Sequence, residues 1–450
     1  MNIDRLIERL EKHSKSEAII YNDKISYYDD IIILVNQWSE NLRKNNIASG
    51  NVVSITGDYS PDSIALVIAL ILNNNILSPL SPLAETHFSE YFDISHTQYI
   101  IDLSDQGYSI SKRNVDPLQN TILKKLIEQQ HPGLILFTSG STGQPKAVTH
   151  DFDKLLSKFL NASKSYRTLC FLMFDHIAGI DTYFYTLYSG GTVIFPTSRN
   201  PGDICKLIEK HKVEVLPTSP TFLNLLLLSE EYKRYDLSSL KIITFGSEKM
   251  PKYLLHRLEE VFKGVRLIQK YGVTEFGSPP SKSKAVDSTW IKIDSAQFKT
   301  KVVDGILYVK ADTAMLGYLN APHPFTEDGW FNTGDSVEVD GEYIQILGRK
   351  SEIINVGGEK VYPAEVEGVI QEMKNVAEST VYGEKNPITG EIVCAKVRLL
   401  KDEDPKQFIT RLKKFCKERL ENYKVPIKID INDKKLYSHR FKKNRIDTLK

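Results

Sequence analysis

Residues 138–146 read Thr138-Ser139-Gly140-Ser141-Thr142-Gly143-Gln144-Pro145-Lys146. The stretch follows an apolar run at residues 133–137 that is predicted to be a strand, and it precedes a helical pattern. Its glycines and hydroxyls can turn backbone N–H groups and side-chain oxygens toward phosphate, and Lys146 adds positive charge. It is not a Walker A loop, because Gln144 and Pro145 separate Gly143 from Lys146. On composition alone, an ordinary strand-to-helix turn with Ser and Thr caps remains the alternative.

Short apolar runs alternate with amphipathic helical patterns on both sides of this loop. The strand-like runs are residues 52–56, 76–80, 133–137, 167–174, 192–195, 213–216, 241–245 and 265–269. The helical patterns, most of which begin with Asp or Pro, are residues 61–72, 203–211, 220–228 and 251–262. Repetition of strand, helix and strand predicts parallel sheets that are covered by helices.

The pattern changes near Lys299. Shorter alternating segments, with Asp304-Gly305 and Asp340-Gly341 as hairpin turns, predict a small antiparallel unit. The last hundred or so residues alternate helices and strands and predict a separate, mobile α+β lid, with a hinge near residues 348–352. The predicted fold class is α/β. A large N-terminal domain of helix-covered, mainly parallel sheets plus the antiparallel unit spans residues 1–348, and the C-terminal lid spans 349–450.

Composition excludes several classes of protein. Of the 450 residues, 41% are apolar and 26% are charged, which excludes a disordered or collagen-like chain. The net charge of +1 gives no global field for nucleic acid or an anionic membrane, so an anionic ligand needs a local site. The longest uncharged apolar stretch, residues 64–72, is about half of a membrane span. We expect no membrane span and, without a secretory pattern at the N-terminus, a cytoplasmic protein. The four scattered cysteines are expected to be buried hydrophobic residues.

Further motifs follow the loop in order. They are Tyr271-Gly272-Val273-Thr274-Glu275, Trp330-Phe331-Asn332-Thr333-Gly334-Asp335, a run from Gly348-Arg349-Lys350 to Glu367, and Lys442 with Arg445. Together with residues 138–146, they resemble the adenylate-forming superfamily, which includes acyl- and aryl-CoA synthetases, luciferases and the adenylation domains of peptide synthetases. The resemblance covers about residues 50–446. It implies an ATP-dependent carboxylic acid ligase that forms an acyl-adenylate and pyrophosphate.

The resemblance also implies how the nucleotide is held. The phosphate-binding residues would be Thr138, Ser139, Gly140, Ser141, Thr142, Gly143 and Lys146. Glu275 would hold Mg²⁺ and Thr274 would bind a phosphate oxygen, because a carboxylate beside a phosphate cradle can orient a metal–triphosphate complex. Tyr271, which precedes Gly272, would lay its ring against adenine.

Two more motifs complete the implied nucleotide site. Asp335 would accept hydrogen bonds from the ribose hydroxyls, and Arg349 would donate to the ribose or to phosphate. Gly246, Ser247 and Glu248 follow a predicted strand and would lie along adenine and the acid pocket. Each motif, taken alone, could equally be an ordinary turn.

His176 is the candidate at the acid's carboxylate. A lone histidine is more often structural, but acyl- and aryl-CoA synthetases carry one here, sixteen residues before the position equivalent to Thr192. Asp175 resembles the aspartate that anchors the amino group in amino-acid adenylating domains, yet the spacing puts that anchor at Ile177. An apolar side chain cannot pair with an ammonium group, so an acyl or aryl acid is favoured. We expect residues 171–179, 217–222 and 245–248 to line the acid pocket.

The C-terminal motif departs from the family pattern, because Arg440-Phe441 replaces the usual Ser-Gly before Lys442. Lys442 is the candidate catalytic lysine, which would stabilise charge while the carboxylate attacks the α-phosphate. Lys443 is the alternative candidate. The segment could also be a solvated basic tail without a catalytic role. The missing glycine puts the conformation of the turn in doubt rather than the role of the lysine.

The acceptor of the acyl group stays open. Coenzyme A is preferred, because the branch of the family with this histidine mostly makes CoA thioesters. The alternatives are a phosphopantetheine carrier protein, amide formation, or a non-catalytic nucleotide-binding homologue. The residues predicted to act in catalysis are therefore Lys442, Thr274, Glu275 and His176, with ATP, Mg²⁺ and a small carboxylic acid as the reacting partners.

Overall fold

The computed structural model describes residues 2–104, 107–139, 144–285, 288–293, 295–438 and 441–443. Within these ranges, one seven-stranded sheet forms the first layer of the large domain. Its strands, in spatial order, are Arg266–Gln269, Ile242–Phe245, Val215–Thr218, Arg167–Leu169, Thr192–Phe195, Glu17–Tyr21 and Lys24–Tyr27. All neighbours are parallel except the last pair, which is a hairpin.

A second seven-stranded sheet carries the predicted phosphate loop. Its strands, in order, are Gly317–Tyr318, Pro145–Asp151, Gly133–Ser139, Ile76–Leu80, Val52–Thr56, Tyr99–Ser104 and Gly107–Lys112. The three central pairings are parallel and the outer ones are antiparallel. The prediction of mainly parallel sheets is confirmed.

The helices of the large domain come from the segments between these strands. They are Asn2–Lys12, Tyr28–Lys44, Pro61–Leu72, Phe88–Ile94, Thr121–Gln129, Phe152–Leu156, Ile177–Tyr188, Pro201–His211, Pro220–Ser229 and Lys252–Val261. The helix Pro61–Leu72 explains the longest apolar stretch of the sequence. Ser60 caps its start by accepting a hydrogen bond from the Ser63 N–H, and every residue from Ser63 to Ile71 is buried. It belongs to one core with residues of both large sheets.

Two smaller sheets complete the chain. A six-stranded antiparallel sheet contains Ser281–Ser283, Trp290–Ile293, Tyr343–Arg349, Phe331–Asp340, Ile306–Ala311 and Phe298–Val303. A five-stranded sheet contains Glu359–Val361, Ile354–Val356, Gly390–Leu399, Val376–Asn386 and Lys428–Ile431, and it packs with the helices Pro363–Glu372 and Pro405–Lys417 around a separate core. The antiparallel unit and the α+β lid are confirmed as elements of the fold, whereas the domain boundary and the hinge near residues 348–352 stay predictions.

One local prediction is wrong in a way that matters for the site. The segment after the phosphate loop is a strand, Pro145–Asp151, which pairs antiparallel with Gly133–Ser139 in the register Thr138 opposite Lys146. Residues 147–151 are all buried, on both faces of the strand. A strand in this position does not need alternating polar and apolar residues, and its sequence therefore lacks the pattern that indicates a strand. The two described segments that flank the loop therefore pair as antiparallel strands, and residues 145–151 form a strand where a helix was predicted.

Two further expectations are tested by the fold. The strand predicted at residues 167–174 ends at Leu169, because the apolar residues beyond it are buried as a loop instead of in the sheet. All four cysteines are buried, as expected for small hydrophobic residues. Among the described residues, no helix is both long and apolar enough to cross a bilayer.

Candidate active site

The hairpin Gly133–Ser139 and Pro145–Asp151 fixes the two ends of the predicted phosphate loop. Backbone pairing holds Thr138 opposite Lys146, and the Lys146 ammonium lies 5.1 Å from the centre of the Tyr318 ring. Gly140, Ser141, Thr142 and Gly143 lie outside the described residues, as does the side chain of Ser139. The role of the loop in phosphate binding stays a prediction.

Tyr318 connects this hairpin to the predicted metal ligand. Its hydroxyl donates a hydrogen bond of 2.7 Å to Oε1 of Glu275, and its ring lies beneath Lys146. Burial first, and then the neighbouring Glu275 carboxylate, raises the pKa of Tyr318 above its ordinary value, so the phenol stays a donor. Sequence reasoning missed Tyr318, since a Gly-Tyr pair in a two-residue strand carries no pattern of its own.

A buried histidine, His150, forms a hydrogen bond with the backbone of Thr274. His150 Nε2 lies 2.8 Å from the Thr274 carbonyl oxygen, to which it donates. Burial lowers the pKa of His150 to about 4, so the ring is neutral near pH 7. The preceding Gly272 has no room for a side chain, because a Cβ there would lie 2.6 Å from Ser278 Oγ. These contacts fix the segment that carries Thr274 and Glu275.

Tyr271, Asp335 and Arg349 form a second group on the nucleotide side. Asp335 and Arg349 are opposite each other on the paired strands Phe331–Asp340 and Tyr343–Arg349, with Arg349 Nε 3.6 Å from Asp335 Oδ1. The Tyr271 hydroxyl donates to Asp335 Oδ2 at 2.7 Å. Tyr271 is only 8% exposed. The structure thus gives Tyr271 a role in orienting Asp335, while its stacking on adenine stays a prediction.

Burial dominates the electrostatics of Asp335. Desolvation raises the pKa of this carboxyl above its ordinary value, and Arg349 and Tyr271 oppose that shift. A carboxylate in this position keeps one oxygen near Arg349 and the other on Tyr271. Added hydroxyl donors, such as those of a ribose, would lower the cost of keeping the group ionised.

Gly246, Ser247 and Glu248 follow the strand Ile242–Phe245, as predicted. A Cβ at Gly246 would lie 2.7 Å from the Lys270 carbonyl oxygen, and Ser247 has a positive φ of 71°, so the turn is tight. Glu248 Oε2 accepts a 2.6 Å hydrogen bond from Thr221, and Oε1 accepts one of 2.5 Å from the Lys443 N–H. Glu248 therefore binds the C-terminal tail.

His176 is the N-cap of the helix Ile177–Tyr188. Its Nδ1 accepts a 3.1 Å hydrogen bond from the Ala178 N–H, which assigns the ring proton to Nε2. Lys442 Nζ lies 3.4 Å from that Nε2. Since both atoms then carry hydrogens, they act as two neighbouring donors that can bind the same oxygen. His176 and Lys442, which are separated by 266 residues in the sequence, are brought together in the structure, and their roles in catalysis stay predictions.

Lys443 points elsewhere. Its ammonium forms a 2.9 Å ion pair with Glu367 of the helix Pro363–Glu372. The Glu367 carboxylate is buried and also accepts a hydrogen bond from the Val381 N–H. The Lys443 ammonium is thus paired with a carboxylate of the C-terminal domain, and the arrangement favours Lys442 as the lysine that would meet the reactants.

Phe441, which stands where the family pattern has glycine, adopts a backbone conformation that favours glycine. Phe441 takes the left-handed conformation that a glycine would take easily, with φ of 52°. Its N–H donates to the Ser438 carbonyl and the Ser438 N–H donates to the Lys442 carbonyl, so the turn closes without a glycine. We call residues 436–443 the lysine turn, of which 436–438 and 441–443 are described.

The segments expected to line the acid pocket do meet. Phe171, Phe222 and Phe245 belong to one hydrophobic core, against which Phe441 packs. These three rings are nearly fully buried. Asp175 and Ile177 are buried beside His176. Lining of a pocket by all of residues 171–179 stays a prediction.

A metal site built by the protein alone is not found among the described residues, in which no three His, Cys, Asp or Glu side chains are grouped suitably. Glu275 is a single carboxylate with one oxygen on Tyr318. Such a ligand suits Mg²⁺, which is commonly held by one or two carboxylates together with substrate phosphates.

Known proteins share sequence and fold with this chain. The sequence matches the AMP-binding enzyme family over residues 6–319 and the AMP-binding enzyme C-terminal domain over residues 365–442. It is 27% identical to the 2-succinylbenzoate–CoA ligase of Bacillus subtilis, across 95% of this chain and 94% of that protein.

Two solved structures share the fold. The anthranilate CoA ligase AuaEII in complex with anthranoyl-AMP superimposes with a TM-score of 0.82 at 19% identity, covering 100% of this chain and 96% of that one. The amide bond synthetase McbA from Marinactinospora thermotolerans gives a TM-score of 0.79 at 19% identity, covering 100% and 99%. With matches over both of its regions, the chain belongs to the AMP-binding enzyme family.

Proposed function

We propose that this chain activates a carboxylic acid by adenylation and then transfers the acyl group to a thiol. The observation that carries the proposal is the pair of donors formed by Lys442 and His176, 3.4 Å apart. Donors fixed in this way stabilise negative charge as it builds up on an oxygen of the α-phosphate or of the acid. Family membership and the named activity of the Bacillus subtilis relative support the same reaction class.

In the proposed first step, a carboxylate oxygen of the acid attacks the α-phosphorus of ATP. The bond from that phosphorus to the oxygen of the β-phosphate breaks, and pyrophosphate leaves with the electron pair. In the second step, the thiolate of the acceptor attacks the acyl carbon and AMP leaves. Positioning and charge stabilisation are sufficient for both steps, without a covalent enzyme intermediate.

The nucleotide side would hold ATP through three groups. Asp335, oriented by Tyr271 and Arg349, would accept hydrogen bonds from the ribose hydroxyls. Residues 138–146 would bind the phosphates, with Lys146 held above Tyr318. Glu275, held by Tyr318, would bind Mg²⁺, whose charge screens the triphosphate.

Coenzyme A is the acceptor we propose, and an acyl or aryl acid is the substrate class. Support for both comes from the relative that is named a 2-succinylbenzoate–CoA ligase. Ile177, buried next to His176, leaves an amino group without a charged partner at that position. The likeness to an amide bond synthetase keeps amide formation as a second acceptor chemistry. A phosphopantetheine carrier protein, the other alternative from the sequence, has no support among these comparisons. We infer a cytoplasmic location, because the reaction uses ATP and coenzyme A.

The proposal is tested with matched pairs of acids, each an α-amino acid and the same acid without its amino group. The purified protein is incubated with MgATP, coenzyme A and one acid, and the products are identified by mass spectrometry. We expect a CoA thioester and AMP with acids that lack the amino group. Preference for the amino acid would overturn the inference from Ile177. Adenylate and AMP without a thioester would move the acceptor to a carrier protein or an amine.

A further inference from the structure

Phe441 is in an unfavourable backbone conformation that its surroundings must maintain. Its φ of 52° lies in the region where a Cβ crowds the backbone, and glycine is the residue that tolerates it most easily. The turn is closed by hydrogen bonds that do not involve the ring, from Phe441 to Ser438 and from Ser438 to Lys442. A glycine would make the same bonds with less strain, so the phenyl ring must have another purpose.

The ring is docked on the large domain. Its centre lies 5.2 Å from that of Phe171 and 5.6 Å from that of Phe222, the latter in an edge-to-face arrangement. Tyr437 of the same turn stacks on it at 5.6 Å. Phe171 and Phe222 are 1% and 0% exposed, so the ring of Phe441 reaches the core of the large domain from the C-terminal segment.

The backbone on both sides of Lys442 is also held by the large domain. Ser219 donates a 2.9 Å hydrogen bond to the Phe441 carbonyl, and Glu248 accepts from the Lys443 N–H. Lys442 lies between these two anchors, with its ammonium at His176. Each anchor restricts the position of the lysine that would meet the reactants.

We propose that Phe441 is a positioning residue for the adenylation step, because its ring docks the lysine turn on the large domain and thereby seats Lys442 beside His176. The proposal deepens the function proposed above and rests on it. The same docking must be undone whenever the C-terminal segment moves away to admit a thiol. The ring should therefore favour adenylation over the thioester step, since leaving the core exposes apolar surface.

The decisive comparison uses Phe441→Gly, Phe441→Ala and Phe441→Tyr in the full-length chain. Glycine removes the ring and relieves the backbone, alanine removes the ring and keeps the strain, and tyrosine keeps an aromatic ring. If the ring positions Lys442, both glycine and alanine should lower kcat of acid-dependent pyrophosphate exchange by about tenfold or more, with KM for ATP within about twofold. Tyrosine should retain most of the activity, and thioester formation from supplied acyl-adenylate should be unchanged or faster in all three.

Exchange in Phe441→Gly at the wild-type rate would overturn the proposal, because the backbone alone would then be sufficient. Equal losses in adenylation and in thioester formation would also overturn it, since they indicate general damage.

A second measurement is independent of the acid. Amide hydrogen exchange of the peptide that contains residues 436–443 should be faster in Phe441→Gly than in the wild type, with the rest of the chain unchanged. Unchanged protection there would contradict docking by the ring. Lack of exchange activity in the wild type with every acid, together with faster hydrogen exchange in the variant, would reject the proposed function and keep the docking.

Discussion

The nucleotide side and the lysine turn of the candidate site are built in different ways. On the nucleotide side, which we define as Tyr271, Glu275, Tyr318, Asp335 and Arg349, the polar contacts among these five side chains join residues 271 to 349, and Tyr318 also contacts Lys146. The lysine turn instead depends on contacts with His176, Ser219 and Glu248, which are about 195 to 266 residues away. The first group can form when its own strands pair, whereas the second exists only while the C-terminal segment is docked.

This difference has a functional consequence. A site that binds ATP can be complete before the C-terminal segment arrives, and a lysine that arrives with that segment can leave again after the acid has been activated. Domain and lid movements of this kind can complete a site for one step and open it for the next. Variants on the nucleotide side should therefore change ATP affinity, and variants of the lysine turn should change the rate of adenylation.

The largest effect is expected for Lys442→Ala. Loss of a donor that acts on developing charge should lower acid-dependent pyrophosphate exchange by about 100- to 1,000-fold. The Kd for ATP should change little, because in the proposed site ATP is held by the nucleotide side. Exchange rates and ATP titrations on the same preparation check both points. Lys434→Ala, an exposed lysine of the same tail, is the matched control and should behave as the wild type.

The next effect is expected for Asp335→Ala, which should weaken ATP and AMP alike by about 1–3 kcal/mol, the range for hydrogen bonds to charged groups. Calorimetric titration with both nucleotides measures this loss. The kcat for adenylation at saturating ATP should be much less affected. A variant that binds both nucleotides normally would show that the ribose is held elsewhere.

Asp335→Asn gives a pH-dependent effect on stability. Burial raises the pKa of Asp335, so folding disfavours its ionised form and the carboxylate lowers stability at neutral pH. The protein is more stable when Asp335 is protonated than when it is ionised. This gain is fully present below the pKa that Asp335 has in the unfolded chain, and it is lost as pH rises through the higher pKa of the folded state. Asn should therefore raise Tm near pH 7.5, and the gain should vanish as pH falls below the ordinary Asp range. A gain that grows at low pH would contradict the assignment.

A smaller effect is expected for Tyr318→Phe, which removes the hydrogen bond to Glu275 but keeps the ring under Lys146. We expect the Mg²⁺ concentration needed for half-maximal exchange to rise by about three- to tenfold. Glu275→Gln should raise it as well. Exchange rates over a Mg²⁺ titration provide the measurement. If both variants kept the wild-type Mg²⁺ dependence, Glu275 would not be the metal ligand.

The smallest effect is expected for Tyr253→Phe. The Tyr253 hydroxyl lies 3.1 Å from Asn224 Oδ1 and 3.2 Å from Gln371 Oε1, and thus joins the helix Lys252–Val261 to the C-terminal helix Pro363–Glu372. Its loss should lower exchange by less than about threefold, since one neutral hydrogen bond contributes little. An effect as large as that of Phe441→Gly would mean that docking is distributed along the junction.

The strand pairing near Asp335 can be predicted from local sequence. The strands that bring Asp335 opposite Arg349 follow from alternating residues and the Asp340-Gly341 turn, while the roles of both residues stay predictions. Sequence reasoning failed at Pro145–Asp151, because residues 147–151 of this strand are buried on both faces and show no alternation, and the predicted helix after the phosphate loop is wrong.

Tertiary contacts account for the rest. Lys442 could be named from its motif, but the choice between Lys442 and Lys443 needs the position of Glu367, which no spacing gives. The contacts of Tyr318 and the ring of Phe441 likewise depend on residues more than 40 positions away. The sequence marks Phe441 as a departure from the family pattern, and the proposed role of its ring rests on the packing against Phe171 and Phe222.

The central claim is that this chain makes acyl-adenylates. Exchange of labelled pyrophosphate into ATP, measured with the wild-type chain across a panel of carboxylic acids, tests it most directly. We predict exchange that depends on adding an acid, is strongest for acyl or aryl acids without an α-amino group, and is lost in Lys442→Ala. ATP binding without exchange for any acid in the panel would contradict the account and indicate a nucleotide-binding homologue without catalysis.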